Sequence, residues 1–230
     1  MDKNQEQLET KKSISKAASE LFAANGYAGT SMRQIAKEAG VSLASINYHF
    51  RSKEDLYLLT IKEGHNRLHE LLEKNIKNDQ SFFESLREYY LTCKSEDLLI
   101  RNIYTMMTRT SSFASDNIQD LLKFATNIPG FKLLLSKCES ELNKNVPLNF
   151  RVWLINNILV SVINWIIRTS SNSLAAQVHE SMNIGTEEIV EMISMQAEAL
   201  IFHANSKKEF PPLKHLDPLL AMFKQEETNG

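Results

Sequence analysis

The stretch that decides the fold covers residues 31–50 and reads SMRQIAKEAGVSLASINYHF. Ala36 and Ala39 are small enough to let two helices approach each other closely, and Gly40 permits a sharp turn between them. Val41 and Ile46 are apolar at positions that would close a small core. The stretch therefore predicts a helix-turn-helix, with the small and polar residues of its second helix facing outward.

The residues around this stretch continue the helical pattern. Gly26 stands where a helix would end in a left-handed residue, and Ser31, Ser42 and Ser52 are placed to cap the starts of three helices. Helices are predicted near 14–25, 32–39, 43–50, 53–77, 81–94, 97–110, 116–127, 131–145, 148–170 and 186–204, with a short amphipathic piece at 219–223. We therefore expect an all-α fold.

Composition excludes several classes of protein. The chain has 230 residues, 43% of them hydrophobic, with only 7 Gly and 5 Pro, which disfavours wholesale disorder and an all-β sandwich or barrel.

Cys93 and Cys138 lie far apart without metal-ligand spacing, which favours a reducing cytosol. The polar first five residues lack the apolar core of a secretion signal. The apolar run 152–167 is interrupted by asparagines and is shorter than a membrane span of about 20 residues. A cytoplasmic protein with no membrane partner is expected.

Charge is distributed unevenly along the chain. Residues 11–53 contain seven basic and two acidic side chains, a net charge of +5, which leaves −7 for the remainder of a chain whose total is −2. A basic end on an acidic body predicts an anionic partner at that end. The alternative is a set of solvated helix faces with no partner.

Residues from about 8 to 67 resemble the DNA-binding domain of the TetR family of bacterial transcriptional regulators. The matching positions are Ala17-Ala18-x-x-Leu21-Phe22, Gly26-Tyr27, Thr30-Ser31-x-x-x-Ile35-Ala36, Ala39-Gly40-Val41-Ser42, Tyr48-His49-Phe50 and Ser52-Lys53-x-x-Leu56. Family members often have Gly where Ala44 stands, and others have aromatic residues at both positions held by Asn47 and Tyr48. The resemblance implies a helix-turn-helix DNA-binding domain at 8–68, with its motif at 31–50. A long helix would join it to a helical effector-binding and dimerisation domain at 69–230.

The recognition helix would enter a major groove about 12 Å wide. The predicted DNA contacts are Thr30, Ser31, Arg33, Ser42, Leu43, Ala44, Ser45, Asn47, Tyr48, His49 and Lys53. Asn47 could bond an adenine edge, and the hydroxyl and imidazole of Tyr48 and His49 could bond phosphates. Thr30 and Ser31 could instead serve only as caps, and Arg33 could be a solvated charge. The role of Lys53 as a phosphate contact is implied by the resemblance.

The resemblance also implies a homodimer that reads a palindromic double-stranded DNA operator, with the last two long helices forming a four-helix bundle. The residues agree, because the helix at 148–170 is apolar nearly all round and the helix at 186–204 carries an apolar stripe. The predicted interface residues are Ile163, Ile167, Ile189, Ile193, Gln196 and Leu200.

Apolar side chains could line an effector pocket in the second domain. The candidates are Tyr104, Met107, Phe113, Phe124, Trp153 and Asn157. Such residues are more often plain core, and each could have only that role. The set favours a hydrophobic or aromatic small-molecule effector, while Arg101, Arg109 and Arg151 leave an anionic group open.

Catalysis and metal binding have little support in the sequence. No phosphate loop, dinucleotide fingerprint or nucleophile elbow occurs, so we expect neither an enzyme nor a cofactor. His65 and His69 are four residues apart but lack a third ligand at useful spacing, which favours solvent-facing histidines over a metal site.

The sequence therefore predicts a ligand-responsive transcriptional regulator, most simply a repressor. An alternative is a TetR-like DNA binder with an architectural or division-control role, and a weaker one is an enzyme with a vestigial DNA-binding segment. Gly64 lies in the middle of the predicted long helix, where it would soften the helix or be a tolerated surface residue.

Overall fold

The computed structural model describes residues 3–108, 128–169, 177 and 184–210. Its helices are, in chain order, α1 (Lys3–Asn25), α2 (Met32–Glu38), α3 (Leu43–His49), α4 (Lys53–Asn75), α5 (Phe82–Ser95), α6 (Asp97–Thr108), α7 (Phe131–Cys138), α8 (Leu148–Thr169) and α9 (Thr186–Ser206). All regular secondary structure in the described residues is helical, so the predicted all-α fold is confirmed. The helix predicted at 116–127 and the piece at 219–223 lie outside the described residues.

The chain divides into two compact units. Unit 1 comprises Met1–Leu68 and Leu98–Ala125, and unit 2 comprises His69–Asp97 and Thr126–Gly230, each taken over its described residues. The long helix predicted to join two domains is α4, which belongs to unit 1 as far as Leu68 and to unit 2 from His69. The domain boundary at 68/69 remains a prediction; unit 1 also contains nearly all of α6.

Unit 1 is built around one apolar core. Its members share near-complete burial and come from α1, α2, α3, α4 and α6; they are Ile14, Ala17, Ala18, Phe22, Ile35, Ala36, Ile46, Phe50, Leu56, Tyr57, Ile61, Ile103 and Met106. Gly26 and Gly40 have φ of 73° and 67°, as predicted for residues that end α1 and turn between α2 and α3. Because both helices of the motif contribute to this core, their relative orientation is fixed by packing.

Tyr57 joins α4 to the last turn of α6. Its hydroxyl donates a hydrogen bond of 2.6 Å to the backbone carbonyl of Met106. The side chains of both Tyr57 and Met106 are almost completely buried, so this hydrogen bond satisfies a hydroxyl that water cannot reach.

Tyr57→Phe should lower the free energy of unfolding by about 1–3 kcal/mol, because it leaves the Met106 carbonyl without its hydrogen bond. Urea unfolding followed by far-UV circular dichroism measures the change. Tyr48→Phe is the matched control, since Tyr48 is 73% exposed and its substitution should change stability by less than about 0.5 kcal/mol. Equal stabilities for the two variants would contradict the assigned role of the hydrogen bond.

Gly64 is buried against α6, so the expectation of a tolerated surface residue is wrong. A Cβ built at this glycine would lie 2.7 Å from Cδ1 of Ile103 and 3.2 Å from Cδ1 of Leu99. Those separations are shorter than van der Waals contact between carbons, which is about 3.5–4.0 Å. Gly64 therefore permits close approach of α4 and α6 within unit 1.

Unit 2 packs α5 against α7, α8 and α9. Buried residues line one side of α5: Phe82, Ser85, Leu86, Tyr89, Tyr90, Thr92 and Cys93. Ser81 caps the start of this helix through a reciprocal pair of hydrogen bonds with Glu84. The carboxylate of Glu84 accepts hydrogen bonds from the Ser81 backbone and side chain, which lowers its pKa.

Among the described residues, α8 alone has the length and composition of a membrane-crossing helix. It has 22 residues and a mean hydropathy of 1.5 in its most apolar window, so the expectation that this segment is too short and too polar is wrong. Half of that window is buried within the protein. Leu154, Ile158 and Val162 lie in the core of unit 2, which is typical of a soluble core helix.

The helix predicted at 131–145 ends at Cys138 instead. The chain then turns, and the turn is held by an asparagine of α9: Asn205 donates to the carbonyl of Glu141 and accepts from the backbone of Asn143, at 2.8 and 2.7 Å. These hydrogen bonds compete with continuation of the helix. Because the partner lies 62 to 64 residues away in sequence, local periodicity could not reveal the earlier stop.

Candidate nucleic-acid interface

The start of α2 is fixed by a capping box, as predicted from Ser31. The Ser31 hydroxyl accepts a hydrogen bond from the Gln34 backbone at 3.3 Å, while the Gln34 side chain accepts one from the Ser31 backbone at 2.8 Å. Ser31, Arg33 and Gln34 are all exposed, and so is Lys37 one turn further along. The exposed side of α2 therefore carries two positive charges next to a rigid helix start.

The start of α3 is capped by a serine as well. Ser42 accepts a hydrogen bond from the Ser45 backbone at 3.0 Å, and the backbone of Val41 donates to the Ala36 carbonyl at 3.0 Å. Ile46 and Phe50 are buried in the core of unit 1, with exposed fractions of 0% and 4%. The predicted two-helix motif is therefore present and rigidly seated.

The outer side of α3 presents the residues predicted to meet DNA. Ala44, Asn47 and Tyr48 share one exposed face, with Tyr48 73% exposed, and Ser42 is exposed at the helix start. Leu43, Ser45 and His49 are half-buried at its borders. The His49 and Tyr48 rings lie edge to face with centroids 5.1 Å apart. One large aromatic, one amide and one small residue thus form a convex surface on a single helix.

Thr30 is placed differently from the prediction. Its side chain is 2% exposed, and its hydroxyl donates towards the carbonyls of Leu21 and Gly26, 3.1 and 2.9 Å away. The hydroxyl therefore hydrogen-bonds carbonyl groups at and just beyond the end of α1 and points away from the outer surface. The phosphate contact predicted for Thr30 would require the hydroxyl to leave these two carbonyls.

Lys53 also points inward. Its Nζ donates to the carbonyls of Tyr27 and Thr30, at 2.9 and 3.0 Å, and lies 4.1 Å from the centroid of the Tyr27 ring. The side chain is half-buried. Tyr27 in turn packs edge to face against Tyr57, with centroids 5.4 Å apart. The structure thus brings Lys53 to the turn before α2 and not to the exposed face of α3.

Two exposed basic residues beside the motif are missing from the predicted contacts. Lys37 lies on the outer side of α2, and Arg51 directly follows α3. Their positive charge and their place within the basic segment 11–53 are the signal that could have identified them. They extend the positively charged surface on either side of α3.

Within the described ranges, no group of three or more His, Cys, Asp or Glu side chains could hold a metal ion. His65 is buried, whereas His69 is exposed and lies 3.4 Å from Glu73. The expectation of solvent-facing histidines therefore holds for His69 but is wrong for His65.

Both cysteines are buried free thiols; burial raises the pKa of Cys138 to about 12 and that of Cys93 further. Neither is a reactive thiolate at neutral pH.

A second exposed surface lies on α8 and α9. Met192, Met195 and Phe202 are 44%, 62% and 76% exposed, and with Ala199 they follow a three-four-three spacing along one side of α9. Val160 is 38% exposed on the outer side of the neighbouring α8. We call these five residues the apolar stripe. Exposed apolar side chains that follow one side of a helix are typical of a protein interface.

The predicted interface residues are only partly on this surface. Ile163, Ile189 and Ile193 are 1%, 6% and 3% exposed because other helices of unit 2 already cover them. They lie in the core of unit 2, and their assignment to an interface stays a prediction. Ile167 and Leu200 are half-buried at the edge, while Gln196 is exposed and accepts a hydrogen bond from Ser161 at 3.0 Å.

The predicted pocket residues that the structure describes are divided between unit 1, which contains Tyr104, and unit 2, which contains Trp153 and Asn157. Trp153 and Asn157 are half-buried on the side of α8 that carries Val160, two turns and one turn before it, respectively. The Asn157 amide donates to the Trp153 carbonyl at 2.7 Å. Tyr104 is half-buried on α6. Phe113, Phe124 and the side chain of Met107 lie outside the described residues.

Comparison with known proteins agrees with this geometry. A family model described as bacterial regulatory proteins, tetR family, matches residues 14–59. The biofilm operon icaADBC HTH-type negative transcriptional regulator IcaR of Staphylococcus aureus (strain Newman) is 24% identical over 177 residues, 76% of this chain and 92% of that protein. The fatty acid metabolism regulator protein of Bacillus subtilis (strain 168) is 26% identical over 167 residues, 70% of this chain and 85% of that protein.

Solved structures share the fold. A TetR family transcription regulator from Marinobacter aquaeolei VT8 superposes with a TM-score of 0.63 at 21% identity, covering 86% of this chain and 97% of that one. The fatty acid degradation regulator FadR from Bacillus halodurans superposes with a TM-score of 0.60 at 14% identity, covering 83% of this chain and 97% of that one. The family model falls on the capped two-helix motif, so residues 14–59 match the DNA-binding segment of bacterial regulatory proteins of the tetR family, and the chain shares the fold of TetR family transcription regulators.

Proposed function

We propose that this regulator is a homodimeric repressor that binds a palindromic DNA operator and releases it when a small-molecule effector binds. The observation that carries the proposal is the exposed face of α3, where Ala44, Asn47 and Tyr48 project from a helix anchored by Ile46 and Phe50. A helix with small and polar outer residues fits the major groove, and Ala44 lets its backbone approach the bases. Repression is supported by the IcaR relative, a negative regulator by name.

Selection from a random duplex library with the purified full chain tests the proposal. We expect an inverted repeat whose half-sites lie about one helical turn, 34–36 Å, apart or a multiple of it. Enrichment of a single unrepeated site would contradict a symmetric dimer. Binding without any enriched sequence would instead support the architectural role, and no DNA binding at all would reject both.

Asn47→Ala should relax sequence preference at one base pair of each half-site. The exposed Asn47 amide can bond both N6 and N7 of adenine, and such a bidentate pair contributes about 1–3 kcal/mol of discrimination. Repeating the selection with the variant measures the change at every position. Asn145→Ala, at an exposed asparagine of unit 2, is the control that should keep the original preference. A uniform loss of affinity with unchanged preference would assign Asn47 to the phosphate backbone.

Dimerisation is supported by the apolar stripe. Its residues lie on the two longest helices of unit 2, and Ser161 and Gln196 hydrogen-bond those helices to each other. Two copies meeting through this surface would form a four-helix bundle, a common two-fold arrangement. Trp153 and Asn157 lie on the same side of α8, so we assign them to the border of this interface in place of a pocket.

The effector is proposed to be an apolar small molecule. Two relatives are regulators of fatty acid metabolism or degradation by name, which favours fatty acids as the first class to test. Release of a fluorescent operator duplex by fatty acids of increasing chain length, with aromatic acids as a second panel, measures the response. An effector shifts the equilibrium only by its differential affinity for the released state, so a compound that binds without releasing DNA would contradict the regulatory role. The expected location of the protein is the cytoplasm, where the chromosome lies.

A further inference from the structure

The Lys53 ammonium donates its hydrogen bonds to backbone groups within the protein. An ammonium carries three N–H donors, and two of them meet the carbonyl oxygens of Tyr27 and Thr30. On its remaining side the ammonium lies 4.1 Å from the centre of the Tyr27 ring, within the range of a cation–π interaction. Reaching a DNA phosphate would require Lys53 to give up at least one of these interactions.

The groups that Lys53 holds lead directly into α2. The Thr30 carbonyl immediately precedes Ser31, the residue that caps α2 through Gln34. The Tyr27 ring is itself packed against Phe22 and Tyr57, with centroids 6.1 and 5.4 Å away. Lys53, at the first position of α4, therefore ties that helix to the turn between α1 and α2.

We propose that Lys53 is a positioning residue for DNA binding: it holds the 27–30 turn so that α2 presents Ser31 and Arg33 to the DNA, and it does not itself contact a phosphate. This inference rests on the proposed DNA-binding function. It also replaces the phosphate contact that the family resemblance implies for Lys53. The two roles differ in an observable way, because only a phosphate contact releases counterions when DNA binds.

Lys53→Met removes the ammonium and keeps the length of the side chain. Lys12→Met is the matched control: it removes the same charge from α1, where Lys12 is 62% exposed and pairs with Glu9 at 3.2 Å. Affinity for the selected operator and for a random-sequence duplex of equal length is measured over a series of salt concentrations. We expect Lys53→Met to weaken both by about tenfold relative to Lys12→Met, because the released turn must be ordered again when DNA binds. The salt dependence should be the same for the two variants.

A second measurement needs no DNA. The backbone N–H groups of Gln34 and Ile35 close the first turn of α2 by hydrogen bonds to Ser31. If Lys53 holds the preceding turn, these amides should exchange with solvent faster in Lys53→Met and at the wild-type rate in Lys12→Met. Should the wild type bind no DNA, the proposed function fails, and this exchange still tests the role of Lys53 separately.

Several results would overturn the proposal. The slope of log affinity against log salt falls by about 0.9 for each phosphate that a variant no longer neutralises. Such a fall in Lys53→Met, together with unaltered amide exchange, would show that Lys53 contacts a phosphate. Unchanged affinity of the folded variant would reduce Lys53 to a purely stabilising role. If Lys53→Met does not fold, nitrogen NMR of the Lys53 ammonium in the wild type tests the proposal instead. The chemical shift of this ammonium should not change when duplex is added. A large shift would contradict the inward placement of Lys53.

Discussion

Replacing Met195 and Phe202 together by Glu is expected to convert a dimer of this chain into a helical monomer. Both side chains are largely exposed on α9 and are the two most exposed members of the apolar stripe. Each truncation at the centre of an interface typically costs about 2 kcal/mol or more, so the pair should weaken association roughly a thousandfold. Sedimentation velocity measures the assembly state, and far-UV circular dichroism verifies that the helices remain.

Ile193→Asp distinguishes this surface from the adjacent core. Ile193 is 3% exposed, so an aspartate there buries an unpaired charge and should unfold unit 2, a loss of about 4 kcal/mol or more. A folded Ile193→Asp monomer, or an undiminished dimer of the double Glu variant, would show that the interface lies elsewhere. The monomeric double Glu variant should also lose most of its operator affinity, because each half-site of the palindrome then binds a monomer independently.

Gly64→Val should lower the free energy of unfolding by about 2–4 kcal/mol. A Cβ at this position already lies 2.7 and 2.9 Å from two carbon atoms of Ile103, and valine adds two stiff methyl groups. Overpacking of this kind costs about 1–3 kcal/mol and occasionally more, well above the gain in helix propensity on replacing glycine. Denaturant unfolding of the variant and of the wild type provides the measurement.

Ile103→Ala should partly rescue Gly64→Val, because it removes the atoms that the new side chain meets. Ile103 is 4% exposed, so its truncation alone costs about 2–5 kcal/mol. The double variant should be less destabilised than the sum of the two single variants, by about 0.5 kcal/mol or more for residues in contact. Strict additivity would contradict direct packing of α4 on α6 at this point.

The helix-turn-helix motif could be predicted closely because its signals are local. Ser31 and Ser42 accept hydrogen bonds from backbone groups three residues away, and Gly26 and Gly40 adopt the left-handed conformation that a helix end requires. Each of these interactions spans only a few residues of the chain. Side-chain chemistry and chain stereochemistry are therefore sufficient to place α2 and α3 and to identify the outer face of α3.

The sequence by itself thus determined the helical class, the motif and its exposed face, whereas only the tertiary structure decided which apolar side chains are core. Both α8 and the neighbouring α9 carry apolar residues on more than one side, so periodicity could not separate Ile193, which is buried, from Phe202, which is exposed. The same limit applies to Lys53 and Gly64. Their partners Tyr27 and Ile103 lie 26 and 39 residues away in the chain, and such contacts are set by packing of distant elements.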